Sequence, residues 1–287
     1  MEIIEDCYEV REHSQGGLQI LLKGDYSSKV EQAFEEYDMT SILLSKWKGW
    51  NSQSLDFLVS FPQLKRIAVF DSEIKDLTVL EKMPNLKELY LECPKAKLPV
   101  NLGNISTLKD ARIDWRPCFS SILESNSLEA LLINGYKGES LESFNCKQLT
   151  QLDLLKAGKL VNLKGIESLV NLDTLSIFQC SKLESLDSIS QLALSKLEIE
   201  TCKNITDLNV TLLIPTLKEL ILDKAGSFSS IQGISNFKVL EKLIIRDTLI
   251  EDGNVVELAK LKECDIFISN KKAYSHTLEE IQLIRAS

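Results

Sequence analysis

Imidazole enters this chain at only two positions, His13 and His276, and both lie in terminal segments. A serine or cysteine nucleophile normally needs a neighbouring base of this kind. Neither histidine has such a partner in its local sequence, so no catalytic triad or dyad is expected. The seven cysteines are dispersed and never paired as CxxC. An odd, scattered set reads as reduced thiols rather than a disulfide framework or a zinc site. Gly16-Gly17 is a lone turn dipeptide and lacks the remainder of a phosphate-cradling loop. Carboxylates are abundant, but a chain that repeats itself displays acids at regular spacing without any chemistry. The residues therefore predict no enzyme, no metal and no cofactor.

Charge narrows the partners. Against 42 acids stand 33 bases, a net charge of −9. Nucleic-acid affinity rests on neutralising phosphates with Lys and Arg, so this balance opposes it, and it disfavours anionic membrane surfaces for the same reason. The N-terminal MEIIEDCYEVREH has neither the basic start nor the apolar stretch of a secretory signal. No apolar run approaches the ~18 residues of a membrane span. These features predict a cytoplasmic chain that binds neither nucleic acid nor membrane.

What must position any functional residue is a repeat. The pattern Leu-x-x-Leu-x-Leu recurs at Leu64/Ile67/Val69, Leu86/Leu89/Leu91, Leu108/Ala111/Ile113, Leu128/Leu131/Ile133 and Leu149/Leu152/Leu154. It continues at Leu172/Leu175/Ile177, Leu194/Leu197/Ile199, Leu217/Leu220/Leu222, Leu240/Leu243/Ile245 and Leu261/Cys264/Ile266, with a degenerate first copy at Met39/Ile42/Leu44. Successive copies start 20 to 25 residues apart. A period of this length specifies a stack of coils before local propensity is considered. In the copy that starts at Leu172, Leu175 and Ile177 alternate as in a strand. Leu183, Leu186 and Ile189 then follow at triplet spacing, which suits 3₁₀-like turns. One coil cannot bury that apolar face; stacked coils can, with each strand pairing in parallel with the next.

These residues resemble leucine-rich repeats of the 22-residue class, similar to those of internalins and related bacterial cytosolic proteins. The resemblance covers about four fifths of the chain. It implies an α/β leucine-rich-repeat solenoid, an arc or horseshoe, with a parallel sheet on the concave face. Short 3₁₀, helical or irregular segments would form the convex face. It also implies protein recognition as the usual task. One departure is plain. The family places Asn eight residues after the first Leu, and this chain has Trp47, Ser72, Pro94, Arg116, Tyr136, Ala157, Cys180, Cys202, Ala225, Thr248 and Ser269 there. Backbone groups at that turn need other partners, and Cys180 and Cys202 read as small buried fillers. About eleven repeats would span 39–269, between an N-terminal cap at 1–38 and a C-terminal cap at 270–287. The first cap would hold a strand over 17–22 and a helix opened by a Ser28/Glu31 capping box. The second would hold a helix opened by Thr277/Glu280. Trp47 and Trp50 are expected to seal the N-terminal cap.

The strand residues at offsets four and six from the first Leu would face the concavity. Seven of these twenty are acidic, namely Glu92, Asp114, Asp153, Glu198, Glu200, Asp223 and Asp265, against two bases, Arg112 and Arg246. Phe70, Tyr90, Phe178, Ile221 and Phe267 lie among them, with Trp115 one place beyond. Aromatic anchors ringed by charge are how protein interfaces tend to be built. The expected binding surface is thus Phe70, Tyr90, Glu92, Asp114, Trp115, Asp153, Phe178, Glu198, Glu200, Ile221, Asp223, Arg246 and Phe267. The expected partner is a protein with a basic surface. A general scaffold and a dedicated inhibitor of a basic enzyme or toxin both fit, and a secreted effector or adhesion protein is a further alternative. Packing of β-formers along a sheet is the plainer explanation of the same pattern.

Overall fold

A computed structural model describes residues 2–14, 16–70, 73–208 and 214–287. The chain divides into two compact units, Met1–Ile133 and Asn134–Ser287.

The first unit opens with β1 (Glu2–Ile4), β2 (Tyr8–Glu12) and β3 (Leu18–Leu22), each antiparallel to the one before. From β3 onward the pairing is parallel, through β4 (Met39–Ser45), β5 (Arg66–Phe70), β6 (Glu88–Glu92) and β7 (Asp110–Asp114). β8 (Ala130–Asn134) comes next in the sheet order. Helix α1 (Ser28–Glu36) connects β3 to β4 and buries Val30, Ala33 and Phe34. The Phe34 ring stacks on Phe61 at 3.8 Å. The expected Ser28/Glu31 capping box does not form. The N-cap is Ser27, without a side-chain cap bond, and the Glu31 carboxylate accepts from the Tyr26 hydroxyl at 2.5 Å. Trp50 is buried beside Phe57 at 5.6 Å, as a sealing residue should be. Trp47 departs from that expectation: it stands 83% exposed on the 3₁₀ turn Lys46–Lys48.

From β4 to β8 each coil closes through a 3₁₀ turn, such as Thr78–Lys82 or Pro117–Glu124. Those turns fill the interior behind the strands with Leu80, Phe119 and Ile122, while the ruler residues Leu89, Leu91, Ala111 and Ile113 fill it from the front. Just before each strand the backbone is stitched to the preceding coil. Lys87 N–H donates to the Lys65 carbonyl, Lys109 to Lys87 and Glu129 to Lys109, each at 2.8 Å.

In the second unit the strands are β9 (Gln151–Leu155), β10 (Thr174–Phe178), β11 (Lys196–Glu200), β12 (Glu219–Asp223), β13 (Ser227–Phe228), β14 (Lys242–Arg246), β15 (Leu249–Ile250) and β16 (Asp265–Ile268). The long strands pair in parallel in the order β9-β10-β11-β12-β14-β16. β13 and β15 form a separate parallel pair. Leu152, Leu175, Leu197, Leu220 and Leu243 align across five strands. The sixth corrects the sequence register. Leu243 pairs with Ile266 rather than Cys264, so the last ruler residues are Ile266 and Ile268. Because the slip is two residues, the same side chains still point inward. Helix α2 (Leu278–Ala286) follows, opened by the expected capping box of Thr277 and Glu280, and it buries Ile281.

After each of five strands comes a residue in the left-handed region: Lys156, Gln179, Thr201, Lys224 and Asp247, with φ between 49° and 54°. Its N–H still extends the ladder. Lys156 donates to the Phe178 carbonyl at 2.8 Å, Gln179 to Glu200 and Thr201 to Asp223 at 2.9 Å, and Lys224 to Arg246 at 2.8 Å. The same conformation turns the next residue inward, so that Ala157, Cys180, Cys202, Ala225 and Thr248 are buried. Where Asn is missing, sulfur and hydroxyl replace it. Cys180 N–H donates to Cys202 Sγ at 3.4 Å and Ala225 N–H to Thr248 Oγ1 at 3.1 Å. The Cys202 thiol donates to the Glu200 carbonyl at 3.3 Å and the Thr248 hydroxyl to the Arg246 carbonyl at 3.1 Å. Cys202 is therefore a hydrogen-bonding member of the turn, which its residue type alone did not convey. The bond to Cys180 and then burial raise its pKa, so it stays a thiol.

Candidate functional site

A strand with one buried face presents alternate residues on the other. In the first unit these form rows across β5, β6 and β7: Arg66–Glu88–Asp110, Ala68–Tyr90–Arg112 and Phe70–Glu92–Asp114. Glu92 is exposed, whereas Phe70, Tyr90, Asp114 and Trp115 are half-buried. The Arg112 guanidinium lies 4.8 Å from the Tyr90 ring centroid, where it shields one ring face, and 3.6 Å from Asp110. Burial raises the pKa of Tyr90 and of Glu88, the latter despite Arg66 at 3.7 Å.

In the second unit three parallel rows cross the sheet. The middle row runs Asp153, Ser176, Glu198, Ile221, Ile244 and Phe267. Its last three members form a continuous apolar ridge that ends in Phe267, 46% exposed. Beyond it the outer row begins with adjacent Leu155 and Phe178 and continues to Glu200, Asp223 and Arg246. The structure thus brings Ile221 and Phe267 together and sets Phe178 beside Leu155.

Two expectations need correction. Asp223 is not an available acid. It is 4% exposed, and its carboxylate accepts from the Arg246 guanidinium, which holds its pKa down. A cation one strand away folds over the carboxylate and covers it, while the Arg246 side chain itself stays more than half exposed. The face is also less one-sidedly acidic than offsets four and six imply. Strand-leading residues at offset two point outward as well, adding Gln151, Thr174, Lys196, Glu219 and Lys242. Lys196 sits between Glu198 at 3.3 Å and Glu219 at 4.0 Å. The alternation that marks a strand was the signal for this row, which falls at an unspecified position inside the ruler. Six acids then face three bases in this unit. Asp153 accepts from the Gln151 amide at 2.8 Å. Glu200 and Asp265 carry no ion pair among the described residues, and they leave the acidic excess open.

Among the described residues no three His, Cys, Asp or Glu side chains converge as a metal site. Burial pushes the Cys118 thiol up and raises Cys264 to about 11, away from the thiolate a nucleophile requires. No described helix is long and apolar enough to cross a membrane.

No protein-family model matches the sequence, and no curated protein matches it. Solved structures do. An internalin of Listeria monocytogenes superposes with a TM-score of 0.55 at 14% identity, over 82% of this chain and 70% of its own. Internalin C2 of the same organism gives 0.50 at 18% identity, over 72% and 81%. A leucine-rich-repeat protein of Leptospira interrogans gives 0.50 at 19% identity, over 88% and 78%. Identities this low speak to architecture alone. Together with the buried ruler and the coil-by-coil parallel register, they show that the chain has the leucine-rich-repeat solenoid fold.

Proposed function

We infer that the chain is a non-catalytic, cytoplasmic protein-recognition module, and that the outward face of its strands takes the partner. The ridge Ile221–Ile244–Phe267 carries this reading: a run of large apolar side chains on the side of the sheet that the fold does not need to bury. Glu200, Glu219 and Asp265 border it. Apolar anchors inside a charged rim supply affinity at the centre and selectivity at the edge. Glu200 and Asp265, which carry no ion pair among the described residues, favour a partner with a basic surface. A sheet ordered in advance loses little conformational freedom on binding.

Affinity capture with the wild type, with Phe267→Ala plus Glu200→Lys, and with the outlying control Lys147→Ala tests this reading. A protein retained by wild type and control but lost by the double variant supports it. Equal retention by all three removes the strand face as the binding site. An inhibitor of a basic enzyme would be distinguished by one-to-one complexes whose association slows steeply with added salt.

A further inference from the structure

Four consecutive turns of the second unit leave their strands with lysines and without a single acid. They read KAGKL (156–160) after β9, QCSKL (179–183) after β10, TCKNI (201–205) after β11 and KAGSF (224–228) after β12. The ladder bonds of Lys156, Gln179 and Thr201 to the next strand stack these turns coil upon coil. Lys156, Lys159, Lys182, Lys203 and Lys224 therefore form one strip, roughly 14 Å long at about 4.8 Å per coil. All five are exposed, and none has an ion pair among the described residues. Other lysines of the unit do find carboxylates. Lys164 lies 2.7 Å from Glu142, Lys260 2.8 Å from Glu257 and Lys218 3.3 Å from Glu241. A run of like charges without counter-charge repels itself, and it stands here in a chain of net charge −9. At its end is a groove of about 460 Å³ walled by Thr201, Lys203, Lys224, Gly226, Ser227 and Asp247. Backbone sets that end: at φ 109°, a β-carbon on Gly226 would come within 2.9 Å of the Lys203 carbonyl oxygen.

We propose that this strip is a second binding surface, separate from the outward strand face, and that it takes a short acidic segment of a partner protein. Its boundaries select the anion. Glu139 lies in the turn before it, and Asp247, Glu251 and Asp252 lie in the turn after it. An anion longer than the strip meets repulsion at both ends. Glu184 and Glu200 border it along the chain, so it is limited in width as well. A long phosphate backbone does not fit those limits. Nor is there an aromatic platform on which bases could stack: the one ring in the four segments, Phe228, is buried, as are Leu160, Leu183 and Ile205. The same burial leaves no large apolar side chain to enter a membrane. A few carboxylates on an extended segment match both the sign and the length.

Fluorescence anisotropy with labelled hexaglutamate and the full chain tests this. Binding should weaken as salt rises. Lys182→Glu plus Lys203→Glu should weaken it at least about tenfold. Neither residue occupies a left-handed position, so the exchange adds no backbone strain, and a thermal melt checks that the variant is folded. Lys271→Glu plus Lys272→Glu, which reverses as many charges outside the strip, should stay within about twofold of wild type. Phe267→Ala alters the strand face and should leave hexaglutamate binding unchanged, so the two surfaces fail independently. The proposal is overturned if hexaglutamate does not bind, or if both double reversals weaken it equally. It is also overturned if hexathymidylate binds more tightly than hexaglutamate, which would assign the strip to nucleic acid. Dimers in light scattering that Lys182→Glu plus Lys203→Glu abolishes would overturn it too, by giving the strip to a second copy.

Discussion

Thr248 shows how much one atom can hold. Its hydroxyl is 1% exposed, accepts from the Ala225 N–H of the coil before and donates to a backbone carbonyl. Thr248→Val keeps the shape and strands a buried N–H, so chemical denaturation should show a loss of about 1–3 kcal/mol. Thr248→Ser should recover most of it. Asp223 makes a pH prediction. The hydrogen bond from Arg246 holds its folded pKa below the unfolded value, so its contribution is complete above about pH 4 and lost as pH falls further. Urea midpoints measured from pH 7 to 2.5 should decline in that acid range for wild type. Asp223→Asn should start lower at pH 7 and decline less. Neither role was legible from residue type, since an acid in a strand reads as exposed until a neighbouring guanidinium covers it.

At the scale of the coil, the left-handed residue after each strand is the costly component. A β-carbon is disfavoured there by roughly 1–2 kcal/mol, and glycine is not. Gln179→Gly should therefore leave stability unchanged or raise it slightly in thermal melts. Gln179→Val, β-branched at φ 54°, should lower it more than any exposed-strand substitution nearby. The strands and their inward residues were readable in advance because Leu, Ile and Val recur at the positions that must be buried. The turn chemistry was not, because thiol, hydroxyl and methyl side chains follow the same strand without a shared residue type. The final coil misled for a related reason. Leu261, Cys264 and Ile266 satisfy the ruler in sequence, yet backbone pairing places Ile266 opposite Leu243. Any two-residue slip preserves the inward-outward alternation, so the pattern alone cannot choose between registers.

Within each unit, contacts run from one coil to the next, so stability should be distributed as in a linear stack. Leu197 is fully buried between the coils of β10 and β12. Leu197→Ala should cost about 2–5 kcal/mol. Hydrogen exchange should place the loss on β10, β11 and β12 and spare β2 and β3. Uniform loss over the whole chain would contradict a nearest-neighbour stack. The solenoid class was fully legible from the period. The binding face was legible only in outline, because the ruler states what points inward and leaves the pairing of outward charges to the fold.

Lys156, Gln179, Thr201, Lys224 and Asp247 share a backbone conformation and no chemistry. Their main chains do the structural task, while their side chains stand clear of the interior. Such a column can be rewritten residue by residue without disturbing what lies beneath, which makes it a natural place for related chains to diverge in whom they recognise while remaining the same shape.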